Sequence, residues 1–151
     1  MSPRTFTRKH RIRFAECDPA GIVFYPQYFV MFNNLLEEWI DALLPELGFA
    51  GYVGKLRYGL PTIHLEADFR AISRMGDDVT LSLEVKRVGN KSLTLALACT
   101  GDGGQLRMSA NQVVVTTSLE THRAIDIPEL MRNALDGSGR RTEPALKRQG
   151  L

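Results

Sequence analysis

The chain has 151 residues, 44% hydrophobic and 24% charged, with a formal net charge of +2, which is ordinary for one globular domain. Its charge surplus lies beyond position 132, in Arg140, Arg141, Lys147 and Arg148 against Asp136 and Glu143, so residues 1–132 hold fifteen charges of each sign and argue against nucleic-acid binding. No apolar run is long enough for a membrane span, no leader pattern opens the chain, and Cys17 and Cys99 make no disulfide framework; the reducing cytoplasm is the expected compartment.

The first element is "RKHRIRF", with His10, Ile12 and Phe14 on one face and Arg11 and Arg13 on the other, a half-exposed strand. A small-residue turn, "CDPAG", follows. The next run, "PQYFVMFNNLLEEWIDALL", predicts a helix from Pro26 to Leu44, with Pro26 suited to a first helical position and Pro45 stopping it. Its polar residues, Asn33, Asn34, Glu37, Glu38 and Asp41, fall in two adjacent rows, and the remaining surface is apolar. A surface helix shows an apolar stripe; this one shows a polar stripe on an apolar cylinder, so something must wrap most of it.

Four alternating runs supply the wrapper. "HLEADFRA" places Leu65, Ala67, Phe69 and Ala71 on one face, "VTLSLEVK" places Val79, Leu81, Leu83 and Val85, and "LTLALAC" places Leu93, Leu95, Leu97 and Cys99. In "QLRMSANQVVVTTS" the alternation changes phase near Asn111, which predicts a bulge or twist. The turns between them, "RMGDD", "VGNK" and "GDGG", are short and suit antiparallel connections. The fold class is therefore α+β: a curved antiparallel sheet of about five strands around one long central helix. Residues 1–132 form the domain, and 133–151, poor in large apolar residues, read as a flexible tail.

The string "FAECDPAGIVFYPQY" resembles, almost position by position, the signature of the 4-hydroxybenzoyl-CoA thioesterase family, whose fold is the hotdog. The likeness extends loosely over residues 6 to about 128. Where many relatives of the Tol-Pal type carry histidine, this chain has Pro26, which leans toward the hydroxybenzoyl branch. The resemblance implies that Asp18 is the catalytic carboxylate and that the backbone N–H of Tyr25 faces the thioester carbonyl. It implies no cofactor, sites at the interfaces of a homodimer or homotetramer, and a coenzyme A arm on the surface near Lys91. Asn33 stands where hydroxybenzoyl-specific members carry an acid in the acyl pocket.

Physical chemistry reaches a related reading. Thioester hydrolysis builds negative charge on a carbonyl oxygen, and a helix N-terminus offers free N–H groups and about half a positive charge. Pro26 has no N–H, so Tyr25 N–H and the amides after Pro26 are the candidate donors. Gly21 permits close approach of a ligand. Asp18 then attacks the carbonyl or activates water; the bland alternative is an Asx-turn residue ahead of Pro19. Tyr28, Phe29 and Phe32 are candidate acyl-pocket residues, although core packing accounts for most of such a pattern.

Other chemistry has weaker support. Cys17 reads as a small buried hydrophobe, since no base sits beside it in sequence. His10, His64 and His122 are too scattered for a metal cluster or triad, and no GxSxG, P-loop or CxxC is present. The competing class is a hotdog protein that binds an acyl-CoA or acyl-carrier thioester without cleaving it; a hydratase ranks lower.

Overall fold

The computed structural model describes residues 2–137. In chain order they form β1 (Thr5–Arg11), a 3-10 turn (Phe14–Glu16), α1 (Pro26–Leu43), α2 (Gly48–Gly54), β2 (Tyr58–Gly59), β3 (Thr62–Phe69), β4 (Asp78–Val88), β5 (Ser92–Gly101), a second 3-10 turn (Asp102–Gly104), β6 (Leu106–Val115), β7 (Thr117–Ser118) and α3 (Glu129–Asp136). The main sheet has the order β1-β4-β5-β6-β3, antiparallel throughout. β2 and β7 make a separate two-stranded ladder. No described helix is long and apolar enough to cross a membrane.

The helix expected from Pro26 forms, and it ends at Leu43, one residue before the expected Leu44. Tyr28, Met31, Phe32, Leu35, Trp39, Ile40 and Leu43 are buried, the i, i+3, i+4, i+7 spacing of one face. The facing layer comes from alternate residues of the sheet. Val79, Leu81, Leu83 and Val85 on β4 are buried with Leu93, Leu95, Leu97 and Cys99 on β5, as their period of two requires. Phe29 and Leu36 are partly covered, whereas Val30 remains 49% exposed. One chain therefore wraps the helix only in part.

Four expectations need correction or extension. β6 alternates without interruption: Met108, Ala110, Gln112 and Val114 all face inward, so there is no phase change at Asn111. Gln112 mimicked one because it is a polar residue in a core position, where its Nε2 donates to Thr62 Oγ1 at 2.7 Å. The register shift lies instead opposite Cys99 and Thr100.

α2 was hidden by Gly48, Gly51 and Gly54, poor helix formers. It holds because Tyr52 is fully buried and Asp41 Oδ1 accepts the Phe49 N–H at 2.7 Å. β3 was expected to turn Leu65 and Phe69 inward, yet these are 41% and 51% exposed, and Ile63 on the other face is 63% exposed.

Regular structure also runs past the expected boundary at 132. α3 buries Met131, Ala134 and Leu135, and Arg4 pairs with Asp136 at 3.1 Å. Ala134 and Leu135 complete an apolar face begun at Met131, which composition counted from position 133 does not register. The rest of the proposed tail, from position 138, lies outside the described residues.

Leu95 is fully buried, between Val85 on β4 and Gln112 on β6. Leu95→Ala is expected to lower stability by about 2–5 kcal/mol, read from urea unfolding as a lower midpoint at unchanged slope.

Candidate active site

The "AECDPAG" segment is a short two-stranded ribbon. Phe24 N–H donates to the Glu16 carbonyl, Cys17 bridges Val23, and Asp18 N–H donates to the Ile22 carbonyl, each N–O distance being 2.9 Å. The turn at its tip has the Gly21 N–H on the Asp18 carbonyl at 2.9 Å. Gly21 has φ +78° with open space around its α-carbon, so left-handed backbone rather than packing demands the glycine. Glu16 clamps the base of the ribbon. Both its carboxylate oxygens lie 2.9 Å from His10 Nε2, and Oε1 accepts the Arg13 N–H at 2.8 Å. Glu16, in the 3-10 turn, is a half-buried anchor.

Asp18 is half-buried. Its Oδ1 accepts the Ala20 N–H at 2.8 Å, which is the Asx turn allowed for above. Its second oxygen has no partner among the described residues and remains available.

The ribbon delivers the chain to α1 at Tyr25. Pro26 is the first helical residue and carries no N–H. The Gln27 amide donates to the Phe24 carbonyl at 2.8 Å and the Tyr28 amide to the Tyr25 carbonyl at 3.2 Å. Of the expected donors, these two are occupied by the chain itself. The Tyr25 N–H has no acceptor among the described residues, at the positive end of an 18-residue helix.

Beside it opens a cleft of about 320 Å³ lined by residues 22, 23, 25, 28 and 69–73, among them Ile22, Tyr25, Phe69 and Ser73. Val23 N–H donates to the Ser73 carbonyl at 2.9 Å, and Ile22 bridges Arg74. One wall of the cleft is therefore the strand paired with Asp18. Tyr25 packs edge-on against Phe69 with ring centroids 5.9 Å apart.

A polar network lies behind the cleft. Tyr28 Oη donates to Ser73 Oγ at 2.9 Å, and the two N–H of Arg107 Nη1 are shared among Asp77 Oδ2 at 2.9 Å, the Ile72 carbonyl at 3.0 Å and Ser73 Oγ at 3.2 Å. Burial raises the Tyr28 pKa, opposed by the hydrogen bond to Ser73. Asp77 is held below the ordinary carboxylate value by the Arg74 N–H first and Arg107 second. Burial pushes the Cys99 thiol up to about 11. Cys17 is raised too, by desolvation and by the charges of Glu16 and Asp18, the reverse of what a thiolate nucleophile needs.

The structure thus brings Asp18, Gly21, Tyr25 and Pro26 to one end of the sheet. Phe29 packs against the core instead of lining the cleft. Lys91 is exposed in the β4–β5 turn, at the opposite end of the sheet from Asp18 in the same chain. His64 is exposed, 3.9 Å from Glu66. Sequence reasoning missed Ser73, Asp77 and Arg107. "RMGDD" signalled only a turn, and Arg107 reads as an outward strand residue until the loop folds over it.

Comparison with known proteins then gives a family. The thioesterase-like superfamily model matches residues 12–135. The chain belongs to that superfamily. It is 30% identical to 4-hydroxybenzoyl-CoA thioesterase of Pseudomonas sp. (strain CBS-3), over 83% of this chain and 93% of that one. It is 27% identical to 1,4-dihydroxy-2-naphthoyl-CoA hydrolase of Synechocystis sp., where the match spans 54% of this chain and only 57% of the relative. The crystal structure of a 1,4-dihydroxy-2-naphthoyl-CoA thioesterase from Synechocystis superposes with a TM-score of 0.78 at 22% identity, over 87% of this chain and 95% of that one, which shows the fold. The expected hotdog architecture is the one present, and the chain is an enzyme of the thioester-hydrolase class.

The Asp77 carboxylate gives a pH test. A depressed folded pKa contributes stability above the unfolded value, near 3.8, and loses it as pH falls through the lower folded value. Asp77→Asn is expected to unfold at lower temperature than wild type at pH 7. The gap should narrow below the ordinary carboxylate value, measured by circular dichroism melts across pH.

Proposed function

We propose that this thioesterase hydrolyses an acyl-CoA with an aromatic or short acyl group, releasing free acid and coenzyme A. The observation that carries the reading is the unoccupied Tyr25 N–H at the start of α1, beside a mainly apolar cleft whose wall pairs with Asp18. An acyl group seated in the cleft places its carbonyl oxygen toward Tyr25 N–H, where the developing oxyanion gains most from a fixed dipole. Asp18 supplies the attack through its free oxygen, as nucleophile or as base on water. Thiolate leaves readily and needs little acid assistance, so the proposed reaction asks for one reactive carboxylate. Gly21 and Pro26 shape the approach through the turn and the helix start, and Phe29 supports that start from the core side. The planar aromatic acyl groups named for the relatives, 4-hydroxybenzoyl and 1,4-dihydroxy-2-naphthoyl, support the aromatic preference.

The reading includes a homodimer, alone or paired into a tetramer. β3 is an open sheet edge with Ile63, Leu65 and Phe69 exposed, and open apolar edges attract a further strand. A second copy added antiparallel along β3 brings the partner subunit's Lys91 end level with the Asp18 end of the first, where it can meet coenzyme A phosphates. The two free cysteines, Cys17 and Cys99, support a cytoplasmic setting.

Asp18→Asn is the decisive variant, because asparagine keeps an oxygen to accept the Ala20 N–H and so preserves the turn. Turnover of benzoyl-CoA, followed with a thiol reagent, is expected to fall by about 10²–10⁴-fold. Wild-type turnover in this variant would remove Asp18 from the chemistry. No thiol release by wild type on any acyl-CoA, with saturable binding, would favour the non-catalytic acyl-CoA or acyl-carrier binding protein.

Light scattering is expected to give the mass of two or four chains. Lys91→Ala should raise KM for acyl-CoA and leave KM for the same acyl group on a thiol lacking phosphates unchanged.

A further inference from the structure

Arg107 is the extra residue of a β-bulge. Between β5 and β6, Cys99 pairs with Met108 and the next residue, Thr100, pairs with Leu106, so Arg107 has no partner of its own in that ladder. A bulge re-aims its side chain, and here the guanidinium is aimed at the 70–77 loop. Gly101 makes room for it. The Gly101 backbone, at φ −83° and ψ 178°, is one that any residue adopts, yet a β-carbon there would lie 2.7 Å from both Cζ and Nε of Arg107. The guanidinium lying across it, and not its own dihedral angles, demands this glycine.

From that position one residue holds both ends of the loop. The Arg107 carbonyl accepts the Arg70 and Ala71 N–H at 2.8 and 3.0 Å. Its Nη1 is shared among the Ile72 carbonyl, Ser73 Oγ and Asp77 Oδ2. The loop is in turn the outer strand of the ribbon that carries Asp18. Its Ser73 carbonyl accepts the Val23 N–H at 2.9 Å, and its Met75 N–H donates to the Gly21 carbonyl at 3.0 Å. Beyond it, Ile12 N–H donates to the Asp77 carbonyl at 2.9 Å and Gly76 N–H to the Ile12 carbonyl at 2.8 Å. Residues 70–73 also line the cleft.

We infer that Arg107 is a positioning residue for thioester hydrolysis: laid across Gly101, its guanidinium fixes the 70–77 loop, and the loop fixes the turn that presents Asp18. The inference rests on the reading of Asp18 as the reactive carboxylate and adds the residue that sets its place. Geometry carries the effect, and charge alone does not. A rigid planar fork can serve three oxygens at once, whereas an ammonium on a flexible stem keeps the charge and loses the fixed directions. A reacting group misplaced by about 1 Å costs on the order of 10²-fold in rate.

The test uses the full chain as wild type, Gly101→Ala, Arg107→Lys, the double variant and Asp18→Asn. Gly101→Ala touches neither the cleft nor the ribbon and acts by pushing the guanidinium aside. It is expected to lower kcat at saturating benzoyl-CoA by about 10–10²-fold, where weaker binding alone has no effect. Arg107→Lys should lose a similar factor, and the double variant no more than the larger single loss, because both changes remove the same hold. Hydrogen exchange followed by mass spectrometry should quicken in segments 16–24 and 70–77 of each variant and stay unchanged in β4.

Wild-type kcat in either folded single variant overturns the inference, as do losses that multiply in the double variant or lost turnover with unchanged exchange at 16–24. Should one single variant fail to fold by circular dichroism, the other decides. Asp18→Asn separates the two readings: it is expected to lose turnover while exchange at 70–77 matches wild type. If it keeps wild-type turnover while Gly101→Ala loses it, the Asp18 reading fails and the hold of Arg107 on the site stands. If Asp18→Asn alone is impaired, Asp18 stands and Arg107 has no part in positioning it.

Discussion

An α-helix has to begin somewhere, and its first amides have no carbonyl of their own turn to donate to. In this chain that requirement sets the position of the donor on which the proposed chemistry rests. Pro26 removes one of those amides outright, and the next two return to the carbonyls of Phe24 and Tyr25. What is left is one donor, on the residue before the proline, where the ribbon and the helix meet. Everything around it holds the point still: Glu16 ties the ribbon to β1 through His10, Val23 ties it to the loop at Ser73, and the buried face of α1 fixes the helix against the sheet.

Within that frame the structural and chemical readings of Asp18 are compatible. One oxygen closes the Asx turn with Ala20 and thereby orients the carboxylate; the other is free to act. A turn residue and a reactive residue usually compete for the same explanation. Here the turn holds the carboxylate whose free oxygen the proposal uses, because the Asp18 backbone is also a rung of the ribbon.

How much of this was legible in the sequence depended on whether a residue's role was local. α1, β4 and β5 announce themselves because their core faces repeat without exception, Tyr28 to Leu43 at helical spacing and Val79 to Cys99 at every second position. β6 misled because Gln112 is satisfied by Thr62, fifty residues away, and no local pattern encodes that bond. α2 was missed because its glycines outweigh Tyr52, whose burial is a tertiary fact. Asp18, Gly21, Tyr25 and Pro26 stood out because they occupy one contiguous motif. Arg107, Asp77 and Ser73 did not, because only the fold makes them neighbours. The sheet edge at β3 carried the least signal: its alternating residues imply a buried face, and a single chain does not bury it.

Near the far end of the same sheet, the first and last described segments meet. Arg4, in the turn leading into β1, reaches the Leu135 carbonyl at 3.5 Å and the Asp136 carboxylate at 3.1 Å, while Trp39 Nε1 on α1 donates to the Pro3 carbonyl at 2.8 Å. These contacts hold Pro3 and Arg4 against the helix pair α1 and α3 at the start of β1. A reporter fused ahead of Pro3 would carry its covalent burden at the β1 start, a full strand length from the Asp18 ribbon.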